Sequence, residues 1–396
     1  MKIAVVYDYI PPMGGGAERV LLDILAAFPQ SDLFIGAQVV TEFSNAYIEE
    51  IKLKFPEVTL HIGRKISAGD PFSFRFFHYS LPQEMQQFSF EEYDTIVCYT
   101  SFLAHTIKGG SRAKKIIYMN TPARMLWHLS HSTSTLKMLT PKEILTVAKS
   151  PLLLQDIQGM RTADKVFCIS SAVKERIFSS YNHIAEVIYP SVHFPELTDS
   201  ITTKANQMKE LFGDYFLHIS RIESYKNIDS FVAAAEKDPK SRTFIVAGHG
   251  PYFEKLLQNS EKRYGVAAQT VYLTELGITA KKIQNTYFLG NVSEEMKWPL
   301  IAGANATFSL NDEDFGITKV ESLAMGTPVI GTNEGATPEV IEHTLGGILL
   351  SDSSAQSILA GIEQLEQVAW VTKKLRAKAE EFTPDRFISK VQELFL

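Results

Sequence analysis

Three segments of the chain gather residue types able to bind an anionic ligand. The first is Pro11-Pro-Met-Gly-Gly-Gly-Ala-Glu-Arg19. Successive glycines let backbone approach a ligand closely, and the helix N-terminus that follows favours an anion. The glycines lack the spacing of the dinucleotide fingerprint and have no acidic partner at the usual distance. A plain strand-to-helix turn therefore stays open. The second segment is Arg221-Ile-Glu-Ser-Tyr-Lys226, with Lys226 in or near the first turn of a helix. A cation there opposes the helix dipole by about 0.3–1 kcal/mol unless an anion compensates. Glu223 and Asp229 can supply that anion. So can a bound diphosphate, with Arg221 as a fork and Lys226 as a point charge. The third is Glu313-Asp-Phe-Gly-Ile-Thr-Lys-Val-Glu321, an acidic loop after a strand, with a helix beginning near Thr318. Thr318 and Glu321 have capping-box spacing, so Glu321 can cap its own helix. Glu313 and Asp314 can be solvated loop acids. Gly316 permits close backbone approach, and free N–H groups at the helix start can bind a sugar or phosphate oxygen.

The elements that must position these residues are short apolar runs alternating with helical patterns. Runs at 2–7, 94–99, 114–119, 165–169 and 185–189 read as strands of a first half, and 215–219, 242–247, 305–310 and 327–331 as strands of a second. Most are continuously apolar, as expected of parallel strands covered by helices on both faces. Helical patterns fall between them, for example at 18–28, 227–235 and 251–264. Repeated strand–helix–strand units imply an α/β, doubly wound architecture. Pro and Thr interrupt both periodicities over 190–204. The expected division is a first Rossmann-like domain at 1–195, a second at 196–376, and a C-terminal helix at 377–396 returning to the first. Ligands of such sheets sit beyond the C-terminal ends of the strands, and all three segments follow strands. The second and third follow strands of one sheet and can face one cleft between the domains, which weakens their purely structural explanations.

Composition bounds the rest. The chain has 396 residues, 45% hydrophobic and 21% charged, with a net charge of −6. That charge argues against a nucleic-acid partner. No apolar run approaches the ~18–20 residues of a membrane span, and the apolar start is too short for a signal peptide core. A cytoplasmic location is expected. Cys98 and Cys168 each sit in an apolar strand-like run, which suits packing better than a disulfide or zinc site.

The Gly-Gly-Ala-Glu loop, the Arg-x4-Lys pair Arg221 and Lys226, and the Glu-x7-Glu pair Glu313 and Glu321 occur in order across almost the full length. In this the chain resembles the family-four (GT4) retaining glycosyltransferases, which have the two-domain GT-B fold. The resemblance implies that Gly15 and Gly16 approach the donor diphosphate and the transferred sugar. It implies that Arg221 and Lys226 neutralise the leaving diphosphate and that Glu313 holds a donor-sugar hydroxyl. The backbone of Phe315, Gly316, Ile317 and Thr318 would surround sugar and phosphates, and Glu321 would bind the ribose hydroxyls. Fixed cations beside the breaking bond make a metal unnecessary, so neither a metal nor another cofactor is expected. One residue departs from the family pattern. Asn120, before Thr121-Pro122, stands where the family often has His, and Asn cannot take up or release a proton. His105 and His128 are alternative proton carriers.

The resemblance implies transfer of a hexose from GDP-mannose or a UDP-sugar to a glycan or lipid-linked acceptor in cell-surface polysaccharide synthesis. The alternatives are a nucleotide-sugar epimerase or hydrolase on the same fold, and a silent sugar-nucleotide-binding subunit supporting a partner transferase. The stretch 64–90, with Arg64-Lys65 and the aromatic run 72–79, can be a buried amphipathic helix lining the cleft. It can instead make peripheral contact with anionic lipid at the inner membrane face.

Overall fold

The computed structural model describes residues 1–69, 80–127, 151–273 and 277–395. The aromatic run 72–79 and His128 lie outside them. The chain divides into two compact units, Met1–Val192 with Thr383–Leu396, and His193–Phe382.

In the first unit, β1 (Ile3–Ile10), β2 (Asp32–Val40), β3 (Thr59–Ser67), β4 (Thr95–Thr100), β5 (Lys114–Met119), β6 (Lys165–Cys168) and β7 (Glu186–Val187) form one sheet. Their order is β3-β2-β1-β4-β5-β6-β7, and every described pairing is parallel. The sequence pattern does not mark β2 and β3. Gly36 and Gln38 interrupt the apolar run of β2, and β3 is an edge strand with most side chains at least partly in water. Arg64 and Lys65 thus lie on a strand, where a helix was expected over 64–90. The helix Gly16–Ala27 starts two residues earlier than its apolar pattern, on Gly15 as N-cap.

The terminal helix Pro384–Phe395 buries Phe387, Val391 and Phe395, one stripe at four-residue spacing. The Phe395 ring stacks on Phe167 at 5.0 Å between centroids and on Phe28 at 6.4 Å. Lys165 and Lys114 donate to the carbonyls of Leu394 and Phe395, cations where the helix dipole favours them.

The second unit contains β8 (Tyr215–Ile219), β9 (Thr243–Ala247), β10 (Gln269–Leu273), β11 (Ile278–Ile283), β12 (Thr286–Gly290), β13 (Ala306–Ser309), β14 (Val329–Thr332) and β15 (Gly347–Leu350). Their order is β10-β11-β12-β9-β8-β13-β14-β15. The strands from β12 through β15 are parallel neighbours, and β10 and β11 add an antiparallel extension at one edge. Phe216, Phe231, Phe244, Phe288 and Phe308 fill the core on one face. The helix Thr372–Ala379 belongs wholly to this unit, past the expected limit at 376. Leu375, Ala379 and Phe382 are buried, and the Phe382 ring packs on Phe315 at 5.5 Å.

Both units are doubly wound Rossmann-like layers. Strand order reverses between β1 and β4 in the first and between β8 and β13 in the second. Such switch points open a crevice at the carboxyl ends of the strands. No described helix is long and apolar enough to cross a membrane.

Candidate functional site

The switch point of the second unit brings two of the three segments together. β8 pairs with β13 through Ala306–Phe216 and Thr307–Leu217, so the loops that leave them start side by side. After β8 the chain passes Arg221 and forms a short turn, Ser224–Lys226, before the helix Ile228–Lys237. Asn227 makes this possible by taking a left-handed conformation at φ 55°, which Asn tolerates better than most residues. Its side-chain amide donates to the carbonyl of Leu310 at 2.6 Å. That bond ties the Lys226 turn to the end of β13.

The loop after β13 places Glu313 against Lys226, whose ammonium contacts Glu313 Oε1. The other oxygen, Oε2, lies 3.1 Å from Lys319 Nζ and accepts from Ser309 Oγ at 3.3 Å. Lys226, therefore, is compensated by Glu313 from the far loop. Glu223 pairs with Arg221 at 3.2 Å, and Asp229 accepts from Asn259 at 3.1 Å. The Arg221 side chain is 58% exposed, which leaves most of its fork toward solvent.

Burial by itself would raise the Glu313 carboxyl, but Lys319 and Lys226 overcome it and hold the group well below the usual carboxylate range. Lys319 is pulled down by burial, against the attraction of Glu313. His218, at the end of β8, is pushed down to about 4 by burial and by Lys226, so it is neutral near pH 7. The cluster thus holds Glu313 between Lys226 and Lys319, with Glu339 also attracting Lys319. His218, Ser220, Asn311 and Thr318 line the same pocket.

Gly316 has φ 80°, and a side chain there would collide with Glu313 Oε2 and Lys319 Nζ. It is the N-cap of the helix Ile317–Ala324, so Thr318 is already helical. The capping box expected of Thr318 and Glu321 therefore does not form. Glu321 is buried and pairs with Lys297 at 3.0 Å. Phe315 turns its ring into the core, so it can serve a ligand only through backbone.

Two features escaped the sequence analysis. Lys319 is a lysine in the buried first turn of its helix, beside Val320 and Leu323, and that charge was its only signal. The other is Gly248-His-Gly250, directly after β9 and before Pro251. Side chains at Gly248 or Gly250 would strike the carbonyls of Ser220 and Ile222, and Ile222 N–H donates to His249 O at 3.1 Å. This loop braces the Arg221 loop. Glycines spaced by one after an apolar strand were a visible mark of it.

In the first unit, Glu18 fastens the glycine loop to β1. Its carboxylate accepts from Gly15 N–H and from the Tyr7 hydroxyl, both at 2.7 Å. Gly15 is extended, and an added Cβ would meet nothing nearer than Glu18 Oε2 at 3.5 Å. Neither conformation nor crowding demands glycine there. Asp8, at the end of β1, accepts from the Thr100 hydroxyl and from the N–H groups of Ser101, Phe102 and Leu103. That carboxylate shapes the loop against which Asn120 rests, and Asn120 Nδ2 donates to Ser101 Oγ at 2.9 Å. His105 is fully buried with Nε2 2.8 Å from Asp156 Oδ1, and Asp156 accepts from Trp127 and Tyr181. It is a strut of the core, not a proton carrier at a ligand surface. Neither cysteine is in a disulfide, and both are buried.

Comparison with known proteins finds a family model and several relatives. Residues 202–384 match the family model of glycosyl transferases group 1. A human alpha-1,3/1,6-mannosyltransferase, ALG2, is 26% identical over 324 residues, 76% of this chain and 72% of that one. The O-antigen chain mannosyltransferase RfbU of Salmonella typhimurium is 26% identical over 213 residues, 53% of each chain. The crystal structure of Anabaena HepE in complex with UDP superposes with a TM-score of 0.67 over 99% of both chains, at 19% identity.

Proposed function

The chain is a GT4-type glycosyltransferase with the GT-B fold, and from that premise we propose that it transfers a hexose from a nucleotide-diphosphate sugar, GDP-mannose or a UDP-sugar, to a glycan or lipid-linked acceptor in cell-surface polysaccharide synthesis. The observation that carries this is the cluster of Lys226, Glu313 and Lys319 at the switch point of the second unit, with Arg221 beside it. Its gathered cations suit an anion that gains charge as a bond breaks.

Cleavage of the sugar–phosphate bond leaves negative charge on the diphosphate, and cations brought against it when the donor binds stabilise that transition state. Arg221 and Lys226 take this role, with no metal required. Glu313, kept ionised, accepts a hydrogen bond from a hydroxyl of the donor sugar, and the N–H groups around Gly316, Ile317 and Thr318 hold sugar and phosphate oxygens. Glu321 takes the ribose hydroxyls. Within the first unit, the backbone of Gly15 and Gly16 and the amide of Asn120 are the candidate ligand contacts. Gly15 supports its part because the fold alone does not require glycine there. Attack on the same face, with a leaving phosphate oxygen accepting the acceptor's proton, gives retention and asks no proton of Asn120. The mannosyltransferase names of the human and Salmonella relatives favour mannose, and the UDP of the Anabaena structure keeps a UDP-sugar in contention. Action at the cytoplasmic face, with peripheral membrane contact, belongs to the same proposal.

Asn120 also supports a second function, a silent sugar-nucleotide-binding subunit. The test is release of nucleoside diphosphate from GDP-mannose, UDP-glucose and UDP-galactose, with and without a polyprenyl-linked glycan acceptor. One donor should be consumed in proportion to acceptor. Turnover that ignores acceptor would indicate a hydrolase or epimerase, and binding without turnover a silent subunit.

A further inference from the structure

We propose that Lys319 is a positioning residue of this site, holding Glu313 fixed while Lys226 is transferred from Glu313 to the donor diphosphate. This rests on the donor site proposed above and deepens it.

The two lysines take one carboxylate oxygen each, Lys226 at Oε1 and Lys319 at Oε2, but they are not equivalent. Lys319 is 1% exposed and sits in the first turn of the helix Ile317–Ala324. Lys226 is 15% exposed and ends a short turn next to the left-handed Asn227. Lys226, the more exposed of the two, is the one with room to swing toward a ligand.

Glu313 is the carboxylate that Lys319 contacts, and Glu339 adds only a more distant attraction. A cation in the first turn opposes the helix dipole, and burial removes its water. Val320 and Leu323 on the same helix are apolar and fully buried, as an ordinary core-facing residue would be. The loop is moreover shaped around the contact, since a side chain at Gly316 would strike both Glu313 Oε2 and Lys319 Nζ. When a diphosphate draws Lys226 away, Oε1 becomes available to a sugar hydroxyl. A carboxylate so released would turn or take up a proton if nothing else held it. Lys319, with Ser309, keeps Oε2 in place and leaves Oε1 pointing where Lys226 was.

The test is a double-mutant cycle on turnover with the donor that wild type consumes, paired with calorimetric titration of the free nucleoside diphosphate. Lys319→Met should lower kcat between about 10- and 100-fold, the scale of a misplaced reacting group. Affinity for the nucleoside diphosphate should change less than about threefold, the signature of an interaction felt in turnover and not in ground-state binding. In a Glu313→Gln background, Lys319→Met should have little further effect on kcat, because it acts through Glu313. Lys319→Gln repeats the cycle if the Met variant does not fold. An equal loss of affinity and turnover would make Lys319 a phosphate-binding cation and overturn the proposal. So would an unchanged kcat, or losses that simply add. If wild type binds no nucleoside diphosphate, the donor site itself fails, and that is seen before any variant is made.

Discussion

Replacing Glu313 by Gln should destabilise the second unit well beyond an ordinary surface change. The substitution keeps the shape and removes the only carboxylate that contacts Lys319 in the described structure, leaving a cation with 1% exposure facing a neutral amide. Removing one partner of a buried ion pair costs about 3–5 kcal/mol. Lys226, at 15% exposure, can turn toward water, so only Lys319 is stranded and the lower figure applies. For a unit of this size, about 3 kcal/mol corresponds to a fall of about 6–12 °C in melting temperature. Adding Lys319→Met should return most of it, because the stranded charge is gone. Acid titration gives an independent arm. The folded carboxyl lies below its ordinary 4.5, so its stabilisation is complete above that pH and is lost as pH falls through the folded value. The Gln variant should lack that acid limb. The assay is circular dichroism melting of the ligand-free protein between pH 3 and 7. A Gln variant within about 1 °C of wild type, or a double variant no better than the single, would refute the buried-triad electrostatics.

Two further outcomes follow from the packing and charge. His218 falls from 6.5 to about 4 on folding, so the unfolded chain binds the extra proton and stability drops as pH falls across that window, by up to about 3 kcal/mol. His218→Asn should therefore lose ground to wild type at pH 7 and recover it by pH 4 in urea denaturation, and a pH-independent gap would count against the assignment. Phe395→Ala empties the contact with Phe28 and Phe167 and should cost the first unit about 3–5 kcal/mol in its unfolding transition; a loss under about 1 kcal/mol would mean the terminal helix contributes little.

Sequence pattern made the central strands legible because β1, β4, β5 and β8 are apolar on both faces, and position after a strand made Arg221, Lys226 and Glu313 stand out. What the pattern could not convey was contact between segments far apart in the chain. Glu223 and Asp229 looked like natural partners for Lys226 because they are near in sequence, whereas the parallel pairing of β8 with β13 brings Glu313 instead. The same limit hid Lys319, whose burial depends on a loop folding over it. Local spacing also misled at Thr318 and Glu321, where left-handed Gly316 is the N-cap, two residues before Thr318. Edge elements such as β3 and the hairpin of β10 and β11 escaped notice because their solvent-facing positions carry polar residues, among them Arg64, Lys281 and Lys282, and dilute the apolar signal.

The donor site can be tested directly by the thermal midpoint of wild type and of the Arg221→Ala/Lys226→Ala double variant with UDP-, GDP- and ADP-sugars. A ligand at 100 times its dissociation constant stabilises by about 2.7 kcal/mol, a rise of about 5–10 °C in a unit of this size. The expected result is a clear rise in wild type with one base and its loss in the double variant. No rise with any base, or an equal rise in both proteins, would contradict the assignment of this cluster to the donor diphosphate.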